Sequence, residues 1–194
     1  TRALITAMDV PLGFAVGNAL EVTESVDVLA GGGPADVIEL TILLAREMLD
    51  LAGITDVDPA QTLKDGSAMD VWHRMIAAQG GDPGADLPVA REHEVIRADT
   101  DGVVTRMDAM GIGVAAWRLG AGRARKEDPV SAGAGILLHA KPGDRVVAGA
   151  PLMTLFTDEA ARFDRARDAL VGAVEVGAEG STIERLPLVV GRVD

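Results

Sequence analysis

Residues 80–88 read Gly-Gly-Asp-Pro-Gly-Ala-Asp-Leu-Pro, and the character of the chain changes across them. Gly and Pro at that density continue neither a helix nor a strand, so the segment reads as a linker. Before it lie long stretches with apolar residues at helical spacing. After it come short runs of β-type residues separated by turn sequences: Asp101-Gly102, Pro142-Gly-Asp144 and Gly149-Ala-Pro151. A chain of 194 residues split in this way accommodates two small domains. We therefore expect a mostly helical α/β part over 1–87 and an α+β part over 88–194, the latter built around a small antiparallel sandwich or barrel.

The helices follow from periodicity and stop signals. A first helix is expected over 18–30, with Leu20, Val22, Val26, Val28 and Leu29 on a broad apolar face and the Gly31-Gly-Gly33 triplet ending it. That triplet follows a helix and precedes no Lys-Ser/Thr pair, so it is a helix stop and not a phosphate cradle. Pro34 suits the first turn of a second helix running to Leu51. This helix is apolar nearly all round, which implies burial or a partner. Asp58-Pro59 opens a short helix. Ser67-Ala-Met-Asp70 resembles a capping box for another over 68–79, whose Val71, Trp72, Met75 and Ile76 form one stripe. His73 lies off that stripe without a second ligand at i+4, and reads as a surface residue. Beyond the linker, strands are expected over 94–98, 102–107, 135–140, 145–147 and 152–157, and helices over 109–119 and 158–171.

Charge and composition exclude several functions. Net charge is −12, which repels phosphate backbones and argues against a nucleic-acid partner. With no cysteine there is no disulfide framework and no thiol chemistry. No apolar run approaches the ~18 residues of a membrane span, and no basic-plus-apolar leader opens the chain. A cytoplasmic protein is the expectation. Aromatics are scarce, so the core must be built from Ala, Val, Leu, Ile and Met.

The stretch with the most local information is the first. Ala3-Leu-Ile-Thr6 reads as a strand, residues 9–17 as a Pro/Gly loop, and Asn18 as the N-cap of the first helix with Glu21 three residues on to complete the cap. A strand, a loop and a capped helix in sequence place ligands at the loop and the helix N-terminus of α/β proteins. Its alternative is an ordinary βα connection that binds nothing. Gly111-Ile-Gly-Val-Ala-Ala116 matches a dinucleotide pattern, but it falls inside an apparent helix with no acidic residue about 20 positions on. It reads as small residues that let this helix approach a neighbouring strand.

Two long segments carry a resemblance. The first is Ala3-Leu-Ile-Thr-Ala-Met-Asp-Val-Pro-Leu-Gly-Phe-Ala-Val-Gly-Asn-Ala-Leu-Glu-Val; the second is Met110-Gly-Ile-Gly-Val-Ala-Ala-Trp-Arg-Leu-Gly-Ala-Gly-Arg-Ala-Arg-Lys-Glu-Asp128. Both resemble the thymidine phosphorylase/pyrimidine-nucleoside phosphorylase family, in order and at about the family's separation, and the likeness runs from Arg2 to about Gly177. It implies that 1–87 is the C-terminal part of the family's catalytic α/β domain. It implies that 88–194 is the C-terminal α+β domain. Lys141-Pro-Gly-Asp-Arg-Val-Val-Ala-Gly-Ala-Pro-Leu is similar to the biotinyl/lipoyl-carrier hairpin, giving a carrier-like barrel-sandwich sheet. Arg106-Met107-Asp108 lacks the carrier lysine, so no carried group is expected.

The resemblance also implies an activity: reversible phosphorolysis of thymidine- or uridine-type nucleosides to the base and (deoxy)ribose 1-phosphate. Phosphate is the co-substrate, and the complete enzyme is expected to be a homodimer. The family's glycine-rich phosphate loop and its Ser/Lys/Arg/His base site lie N-terminal to the matched segment, so no catalytic residue is assigned and this chain alone is expected to be inactive. About half of the family's chain is expected to precede Thr1. Family members bind a monovalent cation, potassium, and the matching positions are the main-chain carbonyls of Leu12 and Ala15 and the Glu24 carboxylate. Oxygen ligands of this kind suit a hard cation. The alternatives are a non-catalytic carrier-like or interaction module, and a related phosphorylase acting on nucleoside monophosphates.

Overall fold

The computed structural model describes residues 1–183 and 185–194. The chain is a mixed α/β protein whose sheets are all antiparallel. Strand β1 (Ala3–Thr6) is followed by β2 (Ala15–Gly17), then by four helices: α1 (Asn18–Leu29), α2 (Ala35–Leu51), α3 (Pro59–Lys64) and α4 (Ser67–Ala78). After the linker come β3 (Glu92–Arg97), β4 (Gly102–Met107) and α5 (Ala109–Ala116), the last running into a π-helical turn over Trp117–Ala121. Strands β5 (Gly135–Leu138), β6 (Arg145–Val146) and β7 (Pro151–Thr157), helix α6 (Phe163–Leu170), and strands β8 (Val174–Gly177) and β9 (Val189–Val193) complete the chain.

Three sheets organise these strands: β2-β5-β7-β3, β6-β4-β8, and the pair β1-β9. The core lies where the first two sheets meet α5 and α6. There Val104, Met107, Ile112, Leu119, Ile136, Met153 and Leu155 are all at most 1% exposed. Strand β7 is buried continuously from Leu152 to Leu155, lying between β5 and β3 within its sheet and contributing Leu152, Met153 and Leu155 to the core. As the composition requires, aliphatic and Met side chains fill this core, with Phe163 at its rim.

The expected elements are present, and three others were missed: β2, β8 and β9. Strand β2 falls inside the segment expected to be wholly loop. It is three residues long and too short to show alternation, yet it pairs in register with β5, Val16 opposite Ile136. Strands β1 and β9 bring the two ends of the chain together, Ala3 opposite Val193. Arg2 reinforces that junction by pairing with Glu47 of α2 at 2.5 Å and Asp50 at 2.7 Å, while Arg192 meets Glu47 at 2.9 Å.

The helical half packs differently. Helices α2, α3 and α4 contain no fully buried residue, and α1 buries only Ala19 and Val28. Leu44, Met48 and Leu51 of α2, and Val71 and Met75 of α4, are exposed; Trp72 and Ile76 are half-buried. The all-round apolar α2 is therefore not buried among the described residues. His73 is exposed, as expected.

Two expected local features differ in detail. Ser67 does not cap α4. It is the first helical residue, and the Asp65 carboxylate receives its main-chain N–H at 3.0 Å and its hydroxyl at 2.7 Å. The Ser67 hydroxyl is thus engaged as a donor two residues back, and the Asp70 N–H that a capping box would place on it bonds to the Gly66 carbonyl at 3.1 Å. The close approach expected of the Gly111 helix is real, but its neighbour is α6 and the turn after it. A Cβ on Gly111 would lie 2.6 Å from Cβ of Ala173 and 3.3 Å from the carbonyl oxygen of Ala169, whereas one on Gly113 would meet open space.

Candidate functional site

The loop between β1 and β2 is held from below by carboxylates. Helix α1 starts at Asn18 with Gly17 as its N-cap, and Glu21 reaches back to accept the Gly17 N–H at 2.7 Å. Asn18 is therefore not the cap expected from the sequence. Its side-chain amide donates instead to the carbonyls of Ala121, at 2.8 Å, and Ser131, at 3.4 Å, tying the helix start to the loop after α5.

One turn along α1, Glu24 turns back under the loop. Its Oε1 accepts the N–H of Phe14 at 2.7 Å and that of Ala15 at 3.1 Å. Asp36, in the first turn of α2, accepts the N–H of Gly13 at 3.1 Å. Three successive amides thus point at two carboxylates, a concave arrangement of donors that holds negative charge. Gly13 permits it. At φ +66 it lies in the left-handed region, and a Cβ there would sit 2.1 Å from Glu24 Oε2.

Lys141 supplies the counter-charge. Its ammonium donates to the Pro11 carbonyl, lies 3.4 Å from Asp36 Oδ2, and sits 5.2 Å from the centroid of the Phe14 ring. The position above the ring adds a cation–π attraction. These groups open onto a cleft of about 420 Å³ whose lining includes Asp9, Pro11, Phe14, Asp36, Lys141 and Arg185.

Of the residues selected from the sequence, the structure brings Glu24 against Ala15, with Leu12 immediately before Gly13. Ala15 stands opposite Leu137, while Phe14 gives its carbonyl to the Leu138 N–H at 2.7 Å. In an antiparallel ladder the bonded pairs alternate, so the N–H and C=O of Ala15 both face away from β5 at the open edge of the sheet. The N–H is taken by Glu24; the carbonyl beside it accepts no bond among the described residues. A carboxylate oxygen packed on Gly13 and an edge carbonyl next to it are compatible with a hard monovalent cation, completed by oxygens from elsewhere. Among the described residues no group of three or more His, Cys, Asp or Glu is placed to hold a metal ion. A cation here therefore depends on main-chain carbonyls. Asp36 and Lys141 were not identified from the sequence, because their approach to the loop spans gaps of 23 and 130 residues.

These features define a class before they define a family: an antiparallel α+β domain joined through β1 and β2 to a helical segment with a carboxylate-held loop at the junction. The comparisons narrow it. Residues 103–177 match the pyrimidine nucleoside phosphorylase C-terminal domain. Over 193 residues and all of its length, the chain is 52% identical to a thymidine phosphorylase of Mycobacterium tuberculosis. Over 169 residues it is 43% identical to a pyrimidine-nucleoside phosphorylase of Bacillus subtilis and 40% identical to one of Geobacillus stearothermophilus, in each case across 81% of this chain. The chain belongs to the thymidine phosphorylase/pyrimidine-nucleoside phosphorylase family and corresponds to the C-terminal part of its members. It spans 45% of the first of these relatives and 39% of the other two.

Proposed function

We propose that this chain is the C-terminal portion of a pyrimidine-nucleoside phosphorylase of the thymidine phosphorylase type. The complete protein would catalyse reversible phosphorolysis, taking a thymidine- or uridine-type nucleoside and phosphate to the base and (deoxy)ribose 1-phosphate. The observation that carries the proposal is the 52% identity extending over the whole chain, helical half and β-rich half alike. The phosphate cradle and the basic groups that stabilise the departing base are assigned to residues outside the chain, following the resemblance.

In this reading 1–87 completes the catalytic α/β domain and 88–194 forms the C-terminal domain, with the change at 80–88. The hairpin that starts at Lys141 supports a carrier-like barrel-sandwich: Asp144 accepts the Lys141 N–H at 2.8 Å, and β6 follows at once. On the other side Arg106 is exposed and pairs with Glu175 at 3.5 Å, so no lysine occupies the carrier position. The uncovered apolar faces of α2 and α4 support coverage in the complete protein, by the rest of a longer chain or by the second subunit of a homodimer. A cytoplasmic location follows the family resemblance; no helix of the described residues is long and apolar enough to cross a membrane.

We assign the loop a potassium ion held by the carbonyls of Leu12 and Ala15 and by Glu24. Its charge would offset Glu24 and fix the loop beside the phosphate subsite. Other oxygens would complete the shell, so this chain alone would bind the ion weakly.

The test compares two proteins in an assay for thymine released from thymidine in the presence of phosphate. A protein of the relatives' full length should turn over; the 194-residue chain should not. Turnover by the shorter chain, or none by the longer, would refute the proposal.

A further inference from the structure

Although the chain carries a net charge of −12, six of its 18 Lys and Arg residues lie in two short segments, 118–126 and 162–165. The structure brings these segments together around a pocket of about 310 Å³. Trp117, Arg118, Arg123, Arg162 and Arg165 line it, and Asp128 is its only acidic lining residue among the described residues.

Two of the guanidinium groups are positioned without being neutralised. Arg118 Nη1 donates to the carbonyl of Arg165 at 2.7 Å, and Arg123 Nη1 to the carbonyl of Lys126 at 2.9 Å. A carbonyl fixes a guanidinium but leaves its charge uncancelled. Among the described residues Arg118, Arg123 and Arg165 form no ion pair, whereas Arg162 pairs with Glu159 at 2.8 Å. Of the nearby acids, Asp164 pairs with Arg167 and Asp158 accepts the Ser131 hydroxyl, while Asp128, in the pocket wall, accepts the N–H of Arg125 at 2.8 Å.

The local backbone explains the presentation. The π-helical turn Trp117–Ala121 buries Leu119 completely while Trp117 remains 40% exposed. Gly120, at φ +113, leaves helical geometry within this turn and ends the helix beside the pocket. The indole rests on Gly122, where a Cβ would come within 2.7 Å of Trp117 Cδ1, so a larger residue would displace it. One edge of the ring is thereby seated, and the rest stands beside the arginines.

Guanidinium forks match the geometry of phosphate oxygens, and an exposed indole offers a face to a planar ring. The volume suits a small metabolite. We propose that this pocket binds a mononucleotide, with the phosphate on Arg118, Arg123 and Arg165 and the base against Trp117. It shares no residue with the carboxylate-held loop, so the inference stands independently of the proposed phosphorolysis.

The chain has two Trp and no Tyr, so Trp72→Phe leaves Trp117 as the sole fluorophore of its class. The probe is thymidine 5′-monophosphate, titrated into the 194-residue chain at constant ionic strength, with thymidine and inorganic phosphate as separate arms. We expect saturable quenching with a dissociation constant on the order of 0.1–1 mM, weaker binding of phosphate, and no saturation with thymidine. Arg118→Gln and Arg165→Gln should each weaken nucleotide binding about tenfold, as the loss of one charge-assisted bond implies, with an unchanged melting temperature showing that the fold is intact. Quenching that never saturates, nucleotide binding that both substitutions leave unaltered, or thymidine binding as tightly as the nucleotide would overturn the proposal.

Discussion

The Glu24 carboxylate receives the main-chain N–H of Phe14 at 2.7 Å, so a helical side chain fixes the conformation of the loop that precedes its own helix. The same oxygen takes the Ala15 N–H, and Oε2 occupies the space where a Gly13 Cβ would go. Glu24→Ala should cost about 1–3 kcal/mol by leaving two amides without their acceptor. Gly13→Ala should cost about 1–2 kcal/mol for the positive φ alone, and more from the contact with Glu24. Because Glu24→Ala removes that contact, the double variant should be more stable than the sum of the single losses predicts, by about 0.5 kcal/mol or more. Urea denaturation of the four proteins gives the cycle. Strict additivity would mean that Glu24 does not occupy the space beneath Gly13.

Thr157 is completely buried, and its hydroxyl donates to the Leu119 carbonyl at 2.7 Å. That bond joins the end of β7 to the π-helical turn. Thr157→Val keeps the shape and removes the donor, and should cost about 1–3 kcal/mol because the carbonyl stays buried and unpaired. Thr157→Ser keeps the bond and loses one methyl group, for about 1 kcal/mol. If valine proved less damaging than serine, packing and not the hydrogen bond would be what Thr157 provides.

The parts of the fold legible in the sequence were those specified locally. Helical spacing and glycine stops gave α1 and α2 to within a residue or two. Turn sequences gave β4 and the hairpin after Lys141. What escaped is specified by distant partners. Strand β2 exists because β5 lies beside it, and β9 because β1 does. The candidate site divides the same way. Glu24 was found through the family pattern around it, while Asp36 and Lys141 reach the loop from other elements and leave no local signal. The Asn18 cap failed because its amide found better-placed carbonyls more than 100 residues away.

The linker at 80–88 should be the preferred site of limited proteolysis, since residues 80–89 are exposed throughout and only turns interrupt the extended backbone. Cleavage there should not separate the pieces under native conditions. Pairing of β1 with β9 and of β2 with β5 crosses the cut, as do the ion pairs of Arg192 with Glu47 and of Arg2 with Asp194. We expect two bands on a denaturing gel and one peak in size-exclusion chromatography. First cleavage within the β5–β7 core would contradict this account.

Asp158 gives the β-rich part a defined acid sensitivity. Its carboxyl lies below the usual range chiefly because it accepts the Ser131 hydroxyl, with the Arg91 N–H at 3.3 Å adding to the effect. A carboxyl group depressed on folding adds stability that is complete above its unfolded value, about 3.9, and fades as pH falls through its lower folded value. Asp158→Asn should therefore be less stable than wild type at pH 7, and the difference should shrink once pH drops below about 4. Melting temperatures of both proteins between neutral and strongly acidic pH test this. A gap that stays constant across that range would assign the loss to geometry and not to charge.

Potassium should stabilise a protein of the relatives' full length, and Glu24→Gln should weaken the effect. Glutamine keeps an acceptor for the Phe14 and Ala15 amides but removes the negative charge that this segment offers a cation. A ligand that binds only the folded state stabilises it by RT ln(1 + [K⁺]/Kd), or about 1.4 kcal/mol per tenfold rise in concentration above Kd. Sodium at equal ionic strength is the control, because screening of a net −12 charge is then the same for both salts. Wild type should melt higher in potassium than in sodium, with a difference that grows with concentration; in Glu24→Gln the difference should be small at every concentration. Coincident potassium and sodium curves for wild type would remove the cation from the loop. Glu24 would then serve only to hold the main chain of Phe14 and Ala15 in place.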